Sequence, residues 1–184
     1  MKQLKFFGIG GQGVVTAAKA LSIAVSIHEG KYAITVPSYG HERRGAPVFS
    51  DVVMDDEPIK ANCFVYEPDV VVVMDAEIVN KNVDVTKGKQ SETILVLNSD
   101  DEDVVKKYTE DYGFSNIYFV NATQIALDKI GVNIPNASIL GALAKSGVVT
   151  IEAVESALKD FFGEKAGDKN ANAARAAYNK TKQA

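Results

Sequence analysis

Short runs of β-branched and aromatic residues alternate along this chain with longer segments of helical periodicity. That alternation is how a parallel sheet covered by helices on both faces is written. Leu4, Phe6 and Phe7 mark a first strand. Val14 to His28 is alanine-rich and stops near Gly30, which predicts a helix able to lie close against the sheet. Lys31 to Val36 reads as the second strand. Val48 to Met54 follows it so soon that an added hairpin or edge is expected rather than a helical crossover. The unbroken apolar run Val70 to Met74 predicts a central strand buried on both faces. Ile94 to Leu97 and Ile117 to Val120 are further strands, and Asp101 to Tyr112 between them is an amphipathic helix with acids in its first turn. Gln124 to Ile130, Ala137 to Lys145 and Ile151 to Phe162 predict three more helices, the last capped by Thr150. Asn170 to Lys182 is either a final helix or a partner-binding tail. No internal repeat and no linker rich in Pro, Gly or Ser divides the chain, so residues 1–184 read as one domain.

Chemistry enters at Gly8-Ile9-Gly10-Gly11-Gln12-Gly13, between the first strand and the first helix. Gly8, Gly10 and Gly13 stand at G-x-G-x-x-G spacing, which points to a Rossmann-like α/β fold. A helix N-terminus carries unpaired N–H groups and partial positive charge, so glycines that admit a ligand to the backbone make an anion seat. The plainer reading is a tight strand-to-helix connection, where close packing alone asks for small residues. A nicotinamide enzyme also needs an acid about 20 residues further on, at the end of the second strand, to hold the ribose. Here that strand leads into Pro37-Ser38, and the nearest acid, Glu42, stands in the loop beyond, beside Arg43 and Arg44. The two arginines offer forked donors suited to phosphate or carboxylate, although a solvated turn with a local ion pair is the commoner fate of such charges. Asp75, just past the central strand, lies where open α/β sheets bind ligands, and equally where it would cap the next helix. Asp100 to Asp103 reads as a polar helix start.

Composition narrows the classes. With 20 Lys plus Arg against 24 Asp plus Glu and a net charge of -4, the chain is a poor nucleic-acid binder. No apolar run approaches the roughly 20 residues of a membrane span, and the N-terminus shows no signal-peptide core, so a cytoplasmic protein is expected. Cys63 is the one cysteine and His28 and His41 the only histidines. These supply neither a disulfide nor a four-cysteine cluster, and they argue against a zinc site. Cys63, beside Phe64, Val65 and Tyr66, is expected to be a small buried core residue.

The opening Gly-x-Gly-Gly-Gln-Gly with Val14, Val15, Thr16 and Ala17 behind it forms a pair with Ser38-Tyr39-Gly40-x-Glu42-Arg43-Arg44-Gly45-Ala46-Pro47-Val48. Together they resemble the gamma subunits of pyruvate:ferredoxin oxidoreductases, in the wider 2-oxoacid:ferredoxin oxidoreductase family. Weaker matches follow in order at Pro58-Ile59, Pro68-Asp69, Asn136 to Lys145 and Asn172 to Tyr178, so the resemblance spans nearly the whole chain. Glu42 to Pro47 resembles the pyruvate and branched-chain 2-oxoacid enzymes more than the 2-oxoglutarate or indolepyruvate ones, while His41 departs from the proline of many relatives. The resemblance implies a holoenzyme that decarboxylates a 2-oxoacid on thiamine diphosphate with Mg, passes electrons through 4Fe-4S clusters to ferredoxin, and makes acyl-CoA. It implies further that these cofactors belong to alpha, beta and ferredoxin-like delta subunits. This chain would then hold none alone, carry no catalytic residue or metal ligand, and act in assembly and in seating CoA. Gly10, Gly11, Gln12, Gly13, Glu42, Arg43 and Arg44 are the candidate contacts, and residues 170–184 a candidate partner-binding helix.

Overall fold

The computed structural model of the chain describes residues 1–38, 45–60 and 62–184. Among the described residues, seven strands form one sheet in the order β2-β3-β1-β4-β5-β6-β7. They are β1 (Lys2–Ile9), β2 (Tyr32–Ser38), β3 (Pro47–Asp55), β4 (Val70–Val73), β5 (Ile94–Asn98), β6 (Ile117–Val120) and β7 (Lys182–Gln183). β1, β4, β5 and β6 run parallel and make the centre. The β2–β3 hairpin and the short β7 are added antiparallel at the two sides. β4 stands fourth of seven and is buried on both faces, as its unbroken valine run requires.

The helices are α1 (Val14–Ile23), α2 (Glu102–Glu110), α3 (Ala122–Ile130), α4 (Ser138–Lys145), α5 (Ile151–Phe162) and α6 (Glu164–Lys180). A π-helical turn, Ala24–His28, extends α1 until Gly30, whose φ of 66° ends it. A short 3-10 helix, Ala76–Lys81, follows β4. Alternate residues of the strands feed two apolar layers. Leu4, Phe6, Val70 and Val72 face α1 and the α4–α6 layer, whereas Phe7, Val71, Val73 and Leu97 face the 3-10 helix and α2. Among the described residues, side-chain caps fix the starts of three α-helices: Asp101 accepts from the Asp103 N–H, Asn121 from the Gln124 N–H, and Thr150 from the Ala153 N–H. Among the described residues no helix is long and apolar enough to cross a membrane.

The structure departs from the sequence pattern at four places. β2 continues through Pro37 to Ser38, because an edge strand tolerates a proline whose missing N–H costs no ladder bond. β3 belongs to a hairpin, as expected, yet it is interior, since β1 takes its free side and leaves β2 at the edge. The last helix starts at Glu164 rather than Asn170, and it buries Ala171, Ala173, Ala174 and Ala177 within the chain's own core. Gly141 of α4 permits that packing, because a Cβ there would lie 1.9 Å from the Ala174 carbonyl. Finally, Cys63 is exposed.

The inward residue of that segment is Val65, 2% exposed. Lys5 and Asp51, cross-strand partners on β1 and β3, hold it there. The Lys5 Nζ donates to both Asp51 carboxylate oxygens at 3.0 and 3.2 Å and to the Val65 carbonyl at 3.1 Å, and the Val65 N–H donates to Asp51 Oδ2 at 2.9 Å. Asp51 is 2% exposed. Removing one member of a buried pair leaves an uncompensated charge, at a cost of about 3–5 kcal/mol. Asp51→Ala should therefore destabilise the chain by about that much in urea unfolding. A loss below about 1 kcal/mol, the level of a surface ion pair, would contradict the clamp.

Candidate functional site

The carboxyl ends of β1, β2, β4, β5 and β6 lie along one edge of the sheet, and the glycine segment turns there. The Gln12 N–H donates to the Ile9 carbonyl at 3.1 Å, closing a tight turn. Gly11 and Gly13 have φ of 104° and 73°, in the left-handed region that favours glycine. Gly13 caps α1 without any side chain, and the first helical bond runs from the Ala17 N–H to the Gly13 carbonyl. Among the described residues no acceptor meets the N–H groups of Val14, Val15 and Thr16. That leaves a donor-rich, electropositive helix start beside the exposed Gly11.

Close packing accounts for two of the glycines. A Cβ on Gly8 would come within 2.6 Å of Val14 Cγ2, and one on Gly13 within 2.7 Å of Asn136 Nδ2. Gly11 has nothing within 4 Å and is the open position of the turn. The strand-two loop returns directly to it. The Gly10 N–H donates to the Ala46 carbonyl at 2.8 Å, and the Gly45 N–H donates to the Gly10 carbonyl at 3.2 Å. The two halves of the sequence signature thus meet at Gly10, Gly45 and Ala46. Of the remaining candidates, Glu42, Arg43 and Arg44 lie outside the described residues.

The Gln12 side chain turns inward. Its Oε1 accepts from the Ile9 N–H and its Nε2 donates to Asp75 Oδ2, each at 3.0 Å. Asp75 takes the capping role, its Oδ1 accepting from the Glu77 N–H at the start of the 3-10 helix, while its Oδ2 is held by Gln12. Further along the edge the Asn98 amide donates to the Met74 carbonyl and to Thr123 Oγ1, while its oxygen accepts from the N–H groups of Ala122 and Thr123. Tyr108 donates its hydroxyl to the Ala76 carbonyl at 3.0 Å. Burial, together with Tyr112, Asp75 and Glu77, pushes the phenol well above its ordinary range and keeps it a neutral donor. Polar side chains therefore lace the edge from the glycine turn to α3. Sequence reasoning missed Asn98 and Asn136; a polar residue directly after an apolar strand run was the available signal for Asn98.

On the face opposite α1, a cavity of about 440 Å³ is walled by Phe7, Phe49, Phe64 and Tyr66 and reaches Ser38. Lys5 is also part of its wall, but all three ammonium donors are already engaged. Asp84 on the rim is held below its usual carboxylate range by the hydroxyl and N–H of Thr86. Among the described residues no group of three or more His, Cys, Asp or Glu side chains gathers to hold a metal. A chain with one cysteine also does not fit the four-thiolate donor set of an iron–sulfur cluster. The His28–Asp160 contact, 2.7 Å, lies at the far end of α1 from the glycine turn.

Known proteins of the same kind match this architecture over its full length. The common gamma subunit of the pyruvate/ketoisovalerate oxidoreductases of Pyrococcus abyssi is 46% identical, with 98% of this chain and 97% of that protein aligned. The pyruvate synthase subunit PorC of Methanocaldococcus jannaschii is 42% identical, covering 97% and 96% of the two chains. In structure, the pyruvate oxidoreductase subunit PORC of Thermotoga maritima superposes with a TM-score of 0.83 at 34% identity, covering 100% of this chain and 98% of that one. Residues 3–180 match the pyruvate ferredoxin/flavodoxin oxidoreductase family, and with relatives of the gamma type aligned from end to end, the chain belongs to that family as a gamma-type subunit of a multi-subunit oxidoreductase.

Proposed function

We propose that this chain serves a cytoplasmic complex that oxidatively decarboxylates a 2-oxoacid, pyruvate or the branched-chain 2-oxoisovalerate, to its acyl-CoA with reduction of ferredoxin. Its part is non-catalytic: the carboxyl edge that carries the glycine turn faces the sister subunits and the path of CoA. Thiamine diphosphate, Mg and the 4Fe-4S clusters belong to the alpha, beta and ferredoxin-like delta subunits. The observation that carries this reading is the stitching of Gly10 to Gly45 and Ala46, which joins the two segments that mark the family into one surface. Gly10, Gly11, Gln12 and Gly13 form its floor. β2 ends at Ser38, and Gly45 and Ala46, just before β3, are bonded to Gly10, so both described flanks of the segment bearing Glu42, Arg43 and Arg44 lie at that edge. Arg43 and Arg44 supply charge to a phosphate of CoA or to a partner's carboxylate, and Glu42 holds one of them.

Removing one member of a desolvated charged pair costs about 2–5 kcal/mol, whereas a solvated surface arginine costs little. Arg43→Ala and Arg44→Ala, singly and together, should weaken assembly or raise the apparent KM for CoA, with the subunit's own unfolding unchanged. Normal assembly and unaltered CoA dependence in both variants would reduce the segment to a surface turn. The chain purified alone should show no 2-oxoacid-dependent reduction of a viologen dye. Activity without the sister chains would overturn the non-catalytic role. Since β2 ends without a ribose-binding acid, calorimetry should also find no NAD(H) binding tighter than about millimolar. A micromolar dissociation constant would instead mark a dehydrogenase.

A further inference from the structure

β1 and β4 are adjacent and parallel, but their onward connections leave on opposite faces, α1 on one and the 3-10 helix on the other. The crevice outside their carboxyl ends is the switch point at which open α/β sheets admit ligands. In this chain the crevice is spanned by the Gln12–Asp75 hydrogen bond. We propose that Gln12 is a positioning residue for the complex's reaction: through Ile9 and Asp75 it fixes the glycine turn against β4, so that the turn presents its backbone to CoA. This rests on the reading above that the turn lies on the CoA path.

Three bonds define the device. The Ile9 N–H and Gln12 Nε2 donate, and Asp75 accepts twice, from Gln12 and from the Glu77 N–H. Gly8 makes room for the fold-back, because a Cβ there would lie 3.0 Å from Gln12 Oε1. An amide is the side chain that can accept from Ile9 and donate to a carboxylate at once. Glutamate in its place would set two carboxylates face to face. The polarity can nevertheless be reversed whole. In Gln12→Glu/Asp75→Asn the new carboxylate accepts from the Ile9 N–H and from the new amide, whose oxygen still accepts from the Glu77 N–H.

The test uses the reconstituted holoenzyme with CoA as the varied substrate. Gln12→Glu alone and Asp75→Asn alone should raise the apparent KM for CoA, by about tenfold for Gln12→Glu, the equivalent of about 1.4 kcal/mol, with kcat within about twofold. The double variant should return it to within about twofold of wild type, a coupling that independent sites do not show. Unchanged KM in the single variants, or no recovery in the double, would overturn the inference. So would a loss confined to kcat or thermal stability, the mark of a merely structural bond. If Gln12→Glu fails to fold, the double variant decides: wild-type KM supports the device, and raised KM or failure to fold overturns it. Should Arg43→Ala/Arg44→Ala also leave assembly and CoA dependence untouched, the CoA-facing reading itself falls. If those arginine variants act while the Gln12–Asp75 cycle shows no coupling, the present inference alone is wrong.

Discussion

The backbone of Gly10 is bonded on both sides to the chain entering β3, with its N–H given to Ala46 and its carbonyl taken by Gly45. Much of the carboxyl edge depends on that exchange. It extends the β1–β3 ladder past its last paired residues, Ile9 and Pro47, and so brings the end of the second loop onto the glycine turn. From there the constraint spreads sideways. Gln12 ties the turn to Asp75, the Met74 N–H donates to the Phe7 carbonyl, and Asn98 joins the Met74 carbonyl to the start of α3. Gln12, Asp75 and Asn98 each also satisfy a backbone group that would otherwise be left unpaired at a strand end or a helix start. The result is an edge whose shape is set by internal hydrogen bonds before any partner arrives.

That pre-organisation bears on function. A dinucleotide-binding sheet leaves its switch point open and places an acid at the end of the strand that holds the ribose. Here side chains of the same chain close the crevice, and β2 ends in Pro37 and Ser38 at the sheet edge. What stays accessible is Gly11, with Val15 and Thr16 of the uncapped first turn of α1 partly exposed beside it, at the same edge as the flanks of the arginine segment. The docking and substrate-seating role proposed above would use such a rigid, donor-rich surface. With a single cysteine, the chain cannot itself supply the four thiolates of an iron–sulfur cluster.

Where the sequence was legible, local physics decided the outcome. The Val70 to Val73 run could only be a strand buried on both faces, Gly30 stops α1, and Thr150 and Asp101 cap the helices that follow them. Where it misled, a long-range partner decided. Pro37 stays in a strand because β2 is an edge, and β3 is interior because β1 claims its other side. Cys63 is exposed because the Lys5–Asp51 pair draws in Val65 instead. At the site, the meeting of the glycine turn with the second loop was foreseeable from both strands ending at one edge. The inward turn of Gln12 was not, because only the β1–β4 adjacency puts Asp75 within reach. The packing of Asn136 on Gly13 likewise joins residues far apart in sequence.

The central claim is that one surface, built from Gly10 to Gly13 with Gly45 and Ala46, faces the sister subunits. Amide hydrogen exchange compared between the free chain and the assembled complex measures this directly. The N–H groups of Val15 and Thr16, partly exposed and without an acceptor among the described residues, should exchange quickly in the free chain and become protected on assembly. Protection confined to other faces, such as the outer sides of α5 and α6, with the glycine turn still exchanging freely, would contradict it.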